Sequence, residues 1–433
     1  MTKPGKLTLL PLIAATYLIV SGGPFGLEDI VSKSGYAGAI LILLITPLIW
    51  SLPTALMVAE LASAFPQEGG YYVYVTRGLG RFFGFQEAWL SLVGSIFDMA
   101  IYPTLFVSYL GHFVPAAASG WRGFAIGASL IALAALWNLL GVRAVGDGSV
   151  LLSLLLLAPF ALLTVGALFH RAPAAHPIAL RNADILGGIL VAMWNYMGWD
   201  NTSTIANDVN RPQRTYPLAM AISVTLIALT YVLPVAAVGA TGLDPNRWST
   251  GGWSDVASAI IPGASGAALA LSISVAGMIA AFGTLDALTL TLARLPVVLG
   301  EDGYLPKAFT KKNAAGAPWV STVACAIAWA LCLTLSFVKL IVLDVLLTGL
   351  SILLQFAALA ALRIREPGLL RPFRIPGGTV VAVCLGIPPL GLLVLTALRN
   401  QIEPIGPINA LELGGILIAA GCGAYYWGRR GVD

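Results

Sequence analysis

Charge is scarce in this sequence: Asp, Glu, Lys and Arg together make up 10% of its 433 residues. A soluble domain carries about a quarter charged residues, so an ordinary water-soluble enzyme is excluded. Histidine occurs three times and cysteine four times, and neither type clusters. Cys325, Cys332, Cys384 and Cys422 sit singly in apolar runs with no Cys-x-x-Cys pair, so neither a zinc site nor a disulfide framework is indicated. His112, His170 and His176 fall at expected helix ends or in a loop, which leaves no metal-ligand set and no histidine-based catalytic cluster. The net charge of +4 is spread over short loops. No basic stripe fit to neutralise a phosphate backbone exists, and nucleic acid is excluded as a partner.

What is present is apolar: hydrophobic residues make up 58% of the chain and its mean hydropathy is +0.87. A membrane-crossing helix takes about 20 apolar residues. Apolar runs bounded by charge, Gly or Pro give twelve expected spans, at 7–31, 37–64, 82–111, 122–142, 149–169, 184–206, 216–241, 266–293, 317–338, 340–362, 379–398 and 408–427. The expected fold class is therefore an all-α integral membrane protein, with the lipid bilayer as its surroundings. Leu7–Val20 reads as the first half of a membrane helix rather than a removed leader, because Gly-Gly-Pro follows where a small-residue cleavage site would stand. An even number of spans puts both termini on one side. With that side cytoplasmic, seventeen basic residues lie inside (Lys3, Lys6, Arg77, Arg81, Arg143, Arg211, Arg214, Arg294, Lys307, Lys311, Lys312, Arg363, Arg365, Arg371, Arg374, Arg429 and Arg430) against seven outside. This bias predicts cytoplasmic termini in the cytoplasmic membrane.

Two spans are interrupted. The first breaks at Ser21-Gly22-Gly23-Pro24-Phe25-Gly26 and the sixth at Asn195-Tyr196-Met197-Gly198-Trp199-Asp200-Asn201. Proline lacks a backbone donor and glycine is entropically costly in a helix. In lipid, such a break is tolerated only inside protein or beside a wet cavity. Glycines also serve close helix packing, but two polar breaks five helices apart point to unwound binding segments. They predict a five-plus-five inverted repeat in one transport domain: residues 7–169 as helices 1–5, 184–362 as helices 6–10, and 379–427 as two extra helices. Pro24 is expected in the first turn of the outer half-helix, where its missing donor costs nothing.

These residues resemble the amino acid–polyamine–organocation superfamily. Its usual first-helix break, Gly-Ser/Thr-Gly-aliphatic-Phe, is replaced here by Ser21-Gly22-Gly23-Pro24-Phe25. The run from Gly22 to Asp29 is similar to a narrower branch, the plant and protozoan polyamine uptake transporters. Further stretches agree with that branch: Pro66-Gln67-Glu68-Gly69-Gly70-Tyr71, Asp98-Met99-Ala100-Ile101-Tyr102-Pro103, Trp194-Asn195, Trp199-Asp200 and Asn210-Arg211-Pro212. So do Gly252 to Ala257, Gly303 to Pro306, and Arg371-Pro372-Phe373-Arg374-Ile375-Pro376. The resemblance implies a secondary transporter of organic amines, and relatives of the branch also include amino acid permeases.

An ionised acid at a helix centre costs about 2.5–3.5 kcal/mol on insertion scales, so each needs a reason. Asp98 lies mid-span, in one helical stripe with Ser91, Ser95 and Tyr102. Asp200 falls at the sixth-span break, where it either faces a cargo or satisfies its own unwound backbone. Asp286 lies in the eighth span, and Glu28 and Asp29 follow the first break. Glu60 and Glu87 are expected as structural or gating partners for Arg77, Arg81 or Arg294. No Lys or Arg falls mid-span. An anionic interior suits a substrate bearing ammonium groups, a coupling proton, or both.

The expected substrate site comprises Ser21, Gly22, Gly23, Pro24, Phe25, Asp98, Tyr102, Trp194, Asn195, Trp199 and Asp200, with Trp194 and Trp199 available for cation–π attraction. A substrate carboxylate could instead use the donors at the first break, which keeps neutral amino acids as the alternative. Asp98, Asp200, Asp286 and Glu60 are the proton-carrier candidates. The fifth span has no lysine, the device some superfamily members use; a sodium site, which the resemblance would build from first-break carbonyls and eighth-span hydroxyls, has Ser272 and Ser274 available. No cofactor is expected beyond a transported proton or sodium ion. An enzyme is disfavoured for want of a nucleophile–base pair or metal ligands at membrane depth.

Overall fold

Inside a bilayer the peptide groups have no water to bond with, so apolar runs must close their own hydrogen bonds as helices. The computed structural model describes residues 8–65, 70–140, 148–170, 184–202, 209–400 and 404–429. Lys3, Lys6, Arg143, Arg171, Arg181, Arg430, His176, the motif residues Pro66 to Gly69, and 203–206 of the expected sixth span lie outside the described residues. In chain order the α-helices are α1 (Leu9–Val20), α2 (Glu28–Thr46), α3 (Leu52–Ala64), α4 (Gly70–Leu79), α5 (Arg81–Gly111) and α6 (Gly120–Leu139). They continue as α7 (Gly148–Phe169), α8 (Ile185–Asn195), α9 (Pro212–Gly239), α10 (Trp253–Ile260), α11 (Gly263–Leu292) and α12 (Leu295–Glu301). The last are α13 (Trp319–Leu331), α14 (Phe337–Arg365), α15 (Gly378–Cys384), α16 (Ile387–Asn400) and α17 (Ala410–Arg429). Among the described residues, eight helical stretches are long and apolar enough to cross a membrane, joined by three shorter apolar ones, Leu9–Val20, Ile185–Asn195 and Trp319–Thr334. The chain is a helical, multi-pass membrane protein.

Three departures from the expected spans have local causes. Helix α2 turns sharply at Gly35, whose φ of 67° and ψ of 175° separate a short first segment from the helix that follows it. That second helix widens into a π-turn at Pro47–Ser51 before α3, where Pro47 and Pro53 remove ladder donors. The eleventh span is two helices, because Pro388 and Pro389 cannot donate and the helix restarts at Ile387 with both in its first turn. Among the described residues the all-α expectation yields to strand in one place, a two-residue antiparallel pair in which Pro404 faces Asn409 and Ile405 faces Ile408.

Helices α5 and α14 form the centre, with α11 and α4 packed on α5 and α8 packed on α14. Their close approach needs a residue without a side chain: a Cβ on Gly94 would lie 2.6 Å from Thr348 Oγ1. One end of the bundle is closed by rings. Phe25 packs edge-on against Phe160 at 5.0 Å and Tyr109 at 5.3 Å, and Trp253 packs on Phe160 at 5.1 Å and on Trp248 at 4.6 Å. The Trp253 indole donates to the Pro24 carbonyl at 2.6 Å.

Candidate functional site

Both expected breaks are present. Helix α1 ends at Val20 and α2 begins at Glu28; α8 ends at Asn195, and the chain runs without α-helix through Asn201. Pro24 is therefore inside the unwound segment, four residues ahead of α2, rather than in its first turn. The backbone groups freed by unwinding find partners, as burial requires. Ser21 and Gly22 N–H groups donate to the Tyr17 carbonyl at 2.8 and 3.1 Å, and Gly23 N–H donates to Ser21 Oγ at 3.2 Å. At the other break, the Tyr196 carbonyl accepts from Trp199 Nε1 at 2.8 Å and Ser51 Oγ at 3.4 Å, and the Asn195 carbonyl accepts from Tyr231 at 3.0 Å. The breaks also touch. Gly26 sits at φ 83° where a Cβ would fall 2.8 Å from the Trp194 ring, and Gly198 sits at φ 93° where one would fall 3.2 Å from the Ile19 carbonyl. Glycine is required at both positions by conformation and by space.

Where the breaks meet, a cavity of about 80 Å³ opens, room for about five waters. Its lining descends α5 from Tyr102 through Asp98 and Ser95 to Ser91, and α11 from Thr284 through Leu288 to Leu292. These steps of three and four residues are one helix face. Leu18 to Ser21, Trp194, Asn195, Met197, Gly198, Asp200 and Asn201 come from the two broken spans, Tyr71 from α4, and Asp344 and Thr348 from α14. The cavity thus extends from the breaks away from the ring-closed end. Asp98 accepts from Trp194 Nε1 at 3.2 Å and from the Tyr102 hydroxyl at 3.1 and 3.3 Å. Asp200 accepts from Gln355 Nε2 at 3.2 Å, and Asp344 from Thr348 Oγ1 at 2.8 Å. Among the described residues, three carboxylates line the space, and no lysine, arginine or histidine does.

The sequence matches a family model, "Amino acid permease", over residues 12–400. The chain belongs to that family. Among its relatives are a probable polyamine transporter of Arabidopsis thaliana, 32% identical over 96% of this chain and 84% of the relative. Others are polyamine transporter PUT1 of Oryza sativa subsp. japonica, 34% identical over 95% of this chain and 77% of the relative, and polyamine transporter RMV1 of Arabidopsis thaliana, 32% over 95% and 84%. The resemblance read from Gly22 to Asp29 is thereby confirmed, and this permease-family chain is a transporter rather than an enzyme.

Of the expected site residues, Ser21, Asp98, Tyr102, Trp194, Asn195 and Asp200 line the cavity. Gly22, Gly23, Pro24, Phe25 and Trp199 do not: Phe25 belongs to the ring closure, and Trp199 is spent on the Tyr196 carbonyl. Asp286 turns from the cavity toward α6, where Asn138 Nδ2 donates to its carboxylate at 2.8 Å and to its carbonyl at 3.2 Å. Glu28 is buried against the Tyr109 hydroxyl at 2.5 Å, and Asp29 accepts from Thr250 at 2.8 Å. Ser272 bonds within its own helix and Ser274 is buried; the hydroxyl that α11 gives the cavity is Thr284.

The expected partners of Glu60 and Glu87 were wrong. Glu60 is held by Arg363 at 2.6 and 2.5 Å, by Arg371 at 3.2 Å and by the Ile375 N–H at 2.8 Å. Arg77 instead pairs with Glu366 at 2.8 Å. Glu60, doubly matched by arginine and away from the cavity, is thus a structural ion pair and not placed as a proton carrier. The Arg371–Pro376 motif wraps this carboxylate. Glu87 has hydroxyl and amide partners and, among the described residues, no cation. Asp344 was missed altogether, although a lone acid in Leu-Ile-Val-Leu-Asp-Val-Leu-Leu carries the same insertion cost that singled out Asp98.

Proposed function

We propose that the protein is a secondary transporter that moves an organic amine, a polyamine or a cationic amino acid, across the cytoplasmic membrane by alternating access. The observation that carries this reading is the cavity between two unwound segments, with Asp98, Asp200 and Asp344 in its lining and no cationic side chain among the described residues around it. Buried carboxylates without a counter-charge are expensive, and an ammonium cargo supplies that charge while bound. Trp194 and Tyr102, whose rings lie 6.2 Å apart beside Asp98, offer faces for an ammonium group. Relatives that bear the name polyamine transporter add weight to the amine.

Twelve spans, arranged as a five-plus-five inverted repeat over 7–169 and 184–362 with two further helices at 379–427, complete the reading. Both termini are cytoplasmic in it, following the distribution of basic residues, so the cavity faces inward and the ring-closed end outward. Coupling is to protons, because buried acids suit proton exchange. A neutral amino acid permease is the second reading. It draws on the family's description and needs carboxylate donors at the first break, of which Ser21 lines the cavity.

Purified protein in liposomes, offered labelled spermidine, putrescine, arginine and alanine with and without an imposed proton gradient, decides between them. Uptake of the di- and polyamines or of arginine, enhanced by the gradient, is the expected result. Uptake of alanine alone overturns the amine, and uptake driven by sodium with no response to pH overturns the proton.

A further inference from the structure

Glu87 lies one helical turn below Ser91 on α5 and is fully buried. Its Oε1 accepts from Ser351 Oγ at 2.8 Å, from Ser91 Oγ at 3.3 Å and from Gln355 Nε2 at 3.3 Å. The same amide nitrogen donates to Asp200 Oδ2 at 3.2 Å. One glutamine therefore spans two carboxylates, one in the cavity lining and one behind it. Ser91 is itself in the lining and connects Glu87 to the cavity.

Two atoms in this cluster are left over. Glu87 Oε2 and Gln355 Oε1 are both buried and both lack a hydrogen-bond partner among the described residues. Both are acceptors, and a buried acceptor with no donor carries its full desolvation cost. The titratable groups facing Glu87 are Asp200 at the sixth-span break and Tyr71 of α4. Among the described residues no lysine, arginine or histidine bonds to it. A carboxylic acid and a primary amide are complementary: the amide N–H donates to the acid carbonyl, and the acid O–H donates to the amide carbonyl. The first half of that pair already exists here. A single proton on Oε2 would make it a donor for the orphaned amide oxygen and remove one of two neighbouring charges.

We infer that Glu87, positioned by Gln355 and Ser351, is the site that holds the coupling proton, distinct from the carboxylates that face the amine. This rests on the proton-coupled reading above and names its seat. An O–H bond forms at Glu87 Oε2 when a proton enters from the cavity and breaks when the proton returns to it. With the proton gone, Glu87 and Asp200 share one amide as two anions. With the proton in place, the one remaining charge, that of Asp200 at the break of the sixth span, is compensated by an amine in the cavity.

Glu87→Gln tests the assignment, because a glutamine there pairs amide to amide with Gln355 and imitates the protonated acid permanently. Wild type and variant are compared in liposomes with labelled spermidine, by counterflow against internal spermidine without a gradient and by uptake under an imposed pH gradient. The variant is expected to keep counterflow within about threefold, to melt no lower than wild type, and to lose its response to the gradient. A variant that still accelerates with the gradient as wild type does overturns the assignment. So does a variant that fails to fold or melts several degrees lower, since the pairing argument requires both orphans to be satisfied. A wild-type protein blind to the gradient shows in its own uptake alone that the coupling reading has failed, and the assignment falls with it.

Discussion

The molecule buries acids in two different ways. At Glu60 the carboxylate is fully matched: Arg363 and Arg371 both reach it and a backbone N–H completes the set, with Glu60 and Arg363 side chains wholly inaccessible and Arg371 nearly so. At Asp98, Asp200 and Asp344 the carboxylates receive hydroxyl, indole and amide hydrogens and, among the described residues, no cation. Removing one partner of a matched buried pair strands the other charge, whereas an unmatched buried carboxylate carries its desolvation cost until it is neutralised. The first arrangement pins α3 to the end of α14 and to the Arg371–Pro376 loop. The second leaves a place for a visitor.

The contrast is sharpest where its two halves should respond differently to the same change, acid to amide. Glu60→Gln should cost about 3–5 kcal/mol of stability by leaving two arginines uncompensated, read as a large drop in melting temperature of the purified protein. A melting temperature that does not move would erase the distinction between the sites. Asp98→Asn and Asp344→Asn should each leave the melting temperature nearly unchanged. Amine uptake should fall roughly 10–150-fold, the worth of about 1.5–3 kcal/mol for a hydrogen bond to a charged group. If either variant transports spermidine as wild type does, its carboxylate is not a selector. Gly26→Ala asks whether the cavity's shape depends on the contact between the breaks. A side chain at φ 83° pressed against Trp194 should destabilise by about 1–3 kcal/mol and lower uptake with it. Normal melting and normal uptake would show that the segment adjusts. The smallest effect is expected from Asp286→Asn, since Asn138 keeps a carbonyl to bond. Stability should stay within about 1 kcal/mol and uptake within about twofold, and a larger loss of uptake would return Asp286 to the functional set.

How much of this was readable beforehand follows from the range of each interaction along the chain. The two breaks were legible because Gly-Gly-Pro and Asn-Tyr-Met-Gly violate helix chemistry locally. The stripe from Ser91 to Tyr102 was legible because helix periodicity alone puts four polar residues on one face. Asp344 was equally open to that reasoning and was passed over, since its span was assigned by its apolar bulk. The partners of Glu60 could not be read, because Arg363 lies 303 residues away and no local pattern selects it over Arg77 or Arg294. Nor could sequence distinguish Trp194 from Trp199. Five residues apart, the first points its indole at Asp98 and the second back into its own turn.

The bond from Trp253 to the Pro24 carbonyl has a consequence beyond closing one end. Trp253 opens α10, which packs on α11, and places one indole across the first break, so any opening at that end requires this hydrogen bond to part. Entry from that direction has to begin with a residue that no cargo resting near Asp98 would meet. The tie across the first break is thus made by a residue that is not among the described lining of the cavity.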